Sequence, residues 1–279
     1  HLPQSVTNAG RETSREGEFI LVSDRQGDAS FLLHHFLSFY LRARCRVLFL
    51  GLVQTLNHYS SVSQRLGVSL AQAKDKGQLV FLEGLQESLS VLIPQGPRAA
   101  SGPWTSSGTR TLSRLPDPAA GLRSLYECVG FRLSGGPGGD VGETWGPPVV
   151  LVDDLSVLLS LGVSAGAVLD FSHYCRATVC SRLRGNVVML TRCDGGEEED
   201  EGDDEGPENL VRGLTHQCSL ALRVQGLPTG FCRDIHGQVE VCWRRRQSDG
   251  QLTPSKVFQY KVHDKGASFF ARGTSSAVL

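Results

Sequence analysis

No C-x-x-C occurs among the eight cysteines, which are Cys45, Cys128, Cys175, Cys180, Cys193, Cys218, Cys232 and Cys242. The usual zinc-knuckle spacing is therefore absent. Two close His/Cys pairs remain, His173-x-Cys175 and His216-x-Cys218. Positions two apart on a helix point away from each other and do not share a metal easily. The expectation is buried free thiols in a reducing compartment, with no metal and no cofactor. Long apolar runs are missing too. The longest, Leu155–Leu169, is interrupted by Ser and Gly and falls short of the ~18 residues that a bilayer span needs. No apolar h-region precedes the first strand, which predicts no secretory signal. H-E-x-x-H and G-x-G-x-x-G do not occur. Zinc-protease and dinucleotide-binding chemistry thus have no local support.

Charge is present but unevenly placed. The formal net charge is −1, yet Glu197–Glu205 holds eight acids around Gly202, and without them the remainder carries +7. A basic body suits a polyanionic partner. The acidic segment itself reads as a solvated loop.

At 279 residues the chain is long enough to bury a core. Short apolar runs at 18–23, 47–50, 79–82, 148–154 and 186–191 lack alternation and read as buried strands. Helical periodicity predicts helices over 29–43, 57–65, 122–133 and 165–183, with Gly67 closing the second. Non-alternating strands separated by helices predict a parallel sheet covered on both faces. After residue 215 the style changes. Short runs at 220–224, 231–235, 239–243, 257–262 and 268–271 predict an antiparallel meander on the edge of that sheet. Residues 1–16 read as a disordered N-terminal segment. Residues 17–279 read as one domain, with 94–118 and 193–208 as flexible loops.

The segment P-V-V-L-V-D-D, Pro148–Asp154, has the form of a Walker B strand, whose terminal aspartate holds Mg²⁺ in phosphate-transfer folds. Its partner should be G-x-x-x-x-G-K-[ST] after the first strand. Gly27, Asp28, Ala29 and Ser30 stand there, opening a helix. The lysine position holds Ala29 in one frame and Asp28 in the other. Neither supplies a cation for the β/γ-phosphates, and Asp28 repels them. The loop is a degenerate P-loop, whose N–H groups could at most hold an anion weakly. Asp153 and Asp154 then have two readings. One would hold Mg²⁺ while the other polarises water, or the pair caps the helix that follows. The missing lysine favours capping, because phosphoryl transfer depends on positioned positive charge. Glu83 ends the third strand, where a water-activating glutamate would sit, and reads equally as a solvated strand end. On the meander, Arg233, Arg244, Arg245 and Arg246 lie near Trp243. Arginine beside an aromatic suits a nucleic-acid strand.

Longer stretches carry a resemblance. They are F-L-L-H-H-F-L-S-F-Y-L, H-Y-S-S-V-S-Q-R-L-G-V-S-L and Q-L-V-F-L-E-G-L within Phe31–Leu85. They continue as V-V-L-V-D-D-L-S-V-L-L-S-L-G, D-F-S-H-Y-C-R-A-T-V-C and G-F-C-R-D-I-H-G-Q-V. In this order they closely resemble the Elongator complex protein 6 family, from about Gly17 to the C-terminus. The resemblance implies a RecA-like α/β fold of the P-loop-NTPase type without an intact P-loop. It implies a hetero-hexameric ring with Elongator proteins 4 and 5 that docks on the catalytic Elongator subunits and binds tRNA. The whole complex modifies the wobble uridine, with the chemistry in another subunit, in the cytoplasm and also the nucleus. The acidic 197–205 departs from the nucleic-acid loop that such rings commonly carry after the fifth strand. Two alternatives keep the same fold: an ATPase with an atypical or interface nucleotide site, and a DNA-recombination paralogue.

Overall fold

The structure is a computed structural model. It describes residues 17–25, 27–83, 122, 125–126, 129–130, 145–193, 206–227, 230, 232–244 and 254–271. The strands are β1 (Phe19–Arg25), β2 (Cys45–Gly51), β3 (Leu79–Glu83), β4 (Gly146–Val152), β5 (Asn186–Arg192), β6 (Leu220–Gln225), β7 (Gly237–Trp243), β8 (Lys256–His263) and β9 (Gly266–Ala271). The α-helices are α1 (Ser30–Arg42), α2 (Leu56–Arg65), α3 (Leu70–Asp75), α4 (Ser156–Ser160), α5 (Ala165–Cys175) and α6 (Pro207–Gln217). A π-helical stretch, Arg176–Arg182, continues α5.

All nine strands form one sheet in the order β3-β2-β4-β5-β1-β6-β7-β8-β9. The first six in that order are mutually parallel, and β6 through β9 form an antiparallel meander. The fold is thus RecA-like, as expected: a mostly parallel sheet flanked by helices, with a C-terminal meander. The central strands are buried on both faces, which is why they read as continuous apolar runs. Two cores result. One joins α1, α2 and α3 to one face through Leu32, Phe36 and Phe49, and the other packs Val168, Phe171 and Leu214 on the opposite face.

Several boundaries differ from the sequence expectation. Helix α6 was not anticipated. Its signals are Pro207 in the first turn, Glu208 beside it, and the buried pair Leu210 and Leu214 at i, i+4. The flanking acids and Gly213 obscure that stripe. Helix α3 also went unread, although Ser69 caps it by accepting from the Gln72 N–H. The strand expected at 231–235 does not form over its described part. Arg233 and Asp234 sit in a bend, and Ile235 is buried without ladder pairing. The helix expected over 122–133 is helical at each of its described residues, Leu122, Leu125, Tyr126, Val129 and Gly130. The segments 1–16, 94–118 and 194–205 lie outside the described residues.

Candidate functional site

Parallel strands deliver their C-terminal ends to one edge of the sheet, where open α/β folds place their ligand sites. Asp24 at the end of β1, Glu83 at the end of β3, and Asp153 and Asp154 after β4 all arrive there. Asp24, Asp153 and Asp154 are 5%, 4% and 3% exposed, so each carboxylate needs partners inside the protein.

Asp153 finds them in the loop between β2 and α2. One oxygen accepts from the Leu52 N–H at 2.5 Å. The Val53 N–H lies 3.2 and 3.1 Å from the two oxygens, and the Gln54 N–H donates at 3.1 Å. The buried Tyr59 hydroxyl donates at 3.3 Å. Asp153 is therefore a bracket between β4 and the next strand's loop. Burial pushes its carboxyl above the ordinary range, and the three backbone donors oppose that shift. The same burial, with the Asp153 charge, pushes the Tyr59 hydroxyl up.

Asp154 accepts from the N–H of Ser156 at 2.9 Å and from its hydroxyl at 2.5 Å, at the entry to α4. Its second oxygen lies 3.2 Å from Nε of Arg192, at the end of β5. Arg192 also sits 3.9 Å from Asp24. A single guanidinium thus spans the ends of β1, β5 and β4. Burial raises the Asp154 carboxyl, and the Ser156 bonds and Arg192 hold it back.

In the degenerate loop, Asp24 accepts from the Ala29 N–H at 3.2 Å. Asp28 accepts from the Ser30 N–H at 2.9 Å. Two N–H groups at the start of α1 thus already face carboxylates of the chain itself. Desolvation lifts Asp24 to about 6, against the Ala29 bond and Arg192. Glu83 accepts from the Leu56 N–H at 3.4 Å, at the start of α2.

Gly27 and Asp28 also border an open cleft of about 580 Å³, completed by Arg65, His236, Tyr260 and His263 among others. The degenerate loop therefore faces the meander. Phe31 stacks on Tyr260 with ring centroids 4.7 Å apart across this wall.

Of the predicted basic residues, the two described ones, Arg233 and Arg244, stand at opposite ends of one strand. Arg233 lies before the start of β7 and Arg244 follows its end. Seven strand residues separate them, roughly 23 Å of extended chain. The Arg244 N–H donates to the Ser219 carbonyl at 2.9 Å. Arg245 and Arg246 lie outside the described residues. Trp243 carries Lys256 over its ring, with Nζ 5.6 Å from the centroid. Sequence reasoning missed Asp24 and Arg192. A charged residue ending a buried apolar strand is the signal for both. Among the described residues, no cluster of three or more His, Cys, Asp or Glu is arranged to hold a metal ion. No helix among the described residues is long and apolar enough to cross a membrane.

A family model described as Elongation complex protein 6 matches residues 3–264. Elongator complex protein 6 of Danio rerio is 60% identical over 275 residues, covering 99% of this chain and 98% of that protein. The Homo sapiens protein of the same name is 48% identical over 276 residues, covering 99% and 98%. That of Dictyostelium discoideum is 22% identical over 323 residues, covering 92% and 91%.

Proposed function

The chain belongs to the Elongation complex protein 6 family, and on that footing we propose that it is a non-catalytic RecA-like subunit of the Elongator complex. It joins Elongator proteins 4 and 5 in a hetero-hexameric ring that binds tRNA and supports wobble-uridine modification by the catalytic Elongator subunits, in the cytoplasm and nucleus. One observation above all supports the non-catalytic part. The Walker-B-like Asp153 holds three consecutive backbone N–H groups and the Tyr59 hydroxyl. A carboxylate used this way is a structural bracket. The degenerate loop points the same way. Its Ala29 and Ser30 N–H groups face Asp24 and Asp28, with no cation in the loop.

Two measurements test the reading. The chain is co-expressed with Elongator proteins 4 and 5, and the assembly's native mass is measured. The expected result is a hexamer containing all three, while the chain alone melts lower, because partners that bind only the folded state add stability. A chain that stays monomeric beside its partners overturns the ring assignment. The purified chain is also assayed for Mg²⁺-dependent phosphate release from ATP. No release is expected. Turnover abolished by Asp153→Ala would replace this reading with the ATPase alternative.

A further inference from the structure

The end of the sheet opposite the carboxylates carries an unexplained pair of strained residues. Among the described residues, only two non-glycines adopt positive φ: Arg44 at 58° and Arg184 at 53°. Each ends a helical segment. Arg44 follows α1 and its Ala43 cap, and Arg184 follows the π-helical stretch and its Leu183 cap. Glycine is the residue that such positions favour, because it has no Cβ to strain. At both places the chain has arginine, with its side chain exposed. A strained backbone that recurs with one residue type points to a use for the side chain.

Topology places the two together. Arg44 and Arg184 precede β2 and β5, strands separated only by β4. At the start of β4, Trp145 lies under the Arg44 guanidinium, 5.8 Å from ring centroid to Cζ. Farther along the same edge come Trp243 and Arg244 at the end of β7, and exposed Lys256 at the start of β8. No side-chain ion pair to an acid holds Arg44, Arg184, Arg244 or Lys256 among the described residues. From β2 to β8 is six strand steps, about 29 Å at ~4.8 Å each.

We propose that this N-terminal edge of the sheet is an RNA-binding row, in which Arg44, Arg184, Arg244 and Lys256 meet phosphates while Trp145 and Trp243 give bases a stacking surface. The inference deepens the tRNA part of the proposed function and rests on it. Cations alternating with indole faces suit a polynucleotide, whose charges and π-faces also alternate, better than an acidic peptide. At the opposite edge the exposed Asp28 disfavours the same strand, and Arg192 is already engaged by the buried Asp24 and Asp154.

The test uses the full chain, a tRNA transcript and a single-stranded oligouridine. Arg44→Gly combined with Arg184→Gly relieves both positive-φ positions, so the variant melts at or above the temperature of the parent. Its affinity for both RNAs falls at least about fivefold, and the plot of log K against log salt becomes shallower by about 1–2. Trp145→Ala weakens binding while leaving that slope unchanged. Arg212→Ala, on α6, changes neither. Unchanged RNA affinity in the double glycine variant overturns the inference, as does an equal loss in Arg212→Ala. Binding to phosphatidylserine vesicles that tracks these variants, with no RNA binding, overturns it in favour of a lipid surface. Co-assembly with Elongator proteins 4 and 5 is measured on the same double variant. Intact assembly with unchanged RNA affinity removes this inference and leaves the ring subunit standing. Failure of the parent chain to assemble removes the ring subunit instead.

Discussion

Asp153 shows how a residue that looks catalytic in sequence acquires a structural role. Its carboxylate satisfies the Leu52, Val53 and Gln54 N–H groups and the Tyr59 hydroxyl. Asp153→Ala orphans the buried Leu52 N–H and Tyr59 hydroxyl, while the exposed Val53 and Gln54 N–H groups turn to water, and should cost about 2–4 kcal/mol in denaturant unfolding. Asp153→Asn, which keeps one acceptor oxygen, should cost less. Equal stability of Asp153→Ala and the parent would show that water replaces the bracket. His34 offers a second test. It is buried between His58 and Tyr59, its Nδ1 has no hydrogen-bond partner, and desolvation lowers it to about 4. The unfolded chain protonates this histidine near its ordinary 6.5, while the folded chain resists until about 4. Stability is therefore lost as pH falls through that window. The gap of about 2.5 units bounds the effect at about 3 kcal/mol. His34→Leu should flatten the acid limb of the stability–pH curve between 6.5 and 4. Asp24 acts in the opposite direction, because a carboxyl raised to about 6 favours the folded state as it protonates. An unchanged acid limb in His34→Leu would assign the pH dependence to other groups.

Most elements were legible because buried parallel strands announce themselves as unbroken apolar runs, as in F-I-L-V of β1 and V-V-L-V of β4. The meander was legible by its turn residues, except at 232–235. There the chain crosses from β6 to β7 without ladder pairing, and Ile235 is buried by packing alone. Helix α6 escaped because its apolar stripe is only Leu210 and Leu214 wide. Of the site, Asp153 and Asp154 were found, but their partners were not. No one-dimensional pattern joins Asp153 to a backbone loop 99 to 101 residues away. Close packing between elements leaves a similar mark at Gly185, which precedes β5. A Cβ there would lie 2.0 Å from the Pro148 carbonyl oxygen. Gly185→Ala must push β4 and β5 apart, and should destabilise by about 3 kcal/mol. Gly166, early in α5, meets nothing within 4 Å. Gly166→Ala should add about 0.5 kcal/mol by removing backbone entropy from the unfolded chain. Thermal melts of the pair check both signs, and a neutral Gly185→Ala would show that the two strands have slack.

At the scale of the whole molecule, the two ends of the sheet differ in how charge is used. Buried carboxylates at the C-terminal ends of β1 and β4 gather around Arg192, and exposed arginines stand before β2 and β5. The eight-acid run Glu197–Glu205 joins β5 to α6, so both of its flanks leave from or return to the body of the fold. Removing it shifts the formal net charge from −1 to +7. Affinity for RNA is dominated by phosphate neutralisation and counterion release. Deleting Glu197–Glu205 should therefore leave assembly with Elongator proteins 4 and 5 intact and leave tRNA affinity equal or tighter. The change should be largest at low salt, where the Debye length is longest. Replacing Arg244, Arg245 and Arg246 with alanine should act in the other direction, weakening tRNA binding and flattening its salt dependence. Titrations of the two variants and the parent at two salt concentrations decide the matter. Loss of tRNA binding in the deletion, with none in the arginine variant, would reverse the polarity inferred for this molecule. The acidic segment would then be the organising contact, most simply by docking a basic partner that itself carries the RNA.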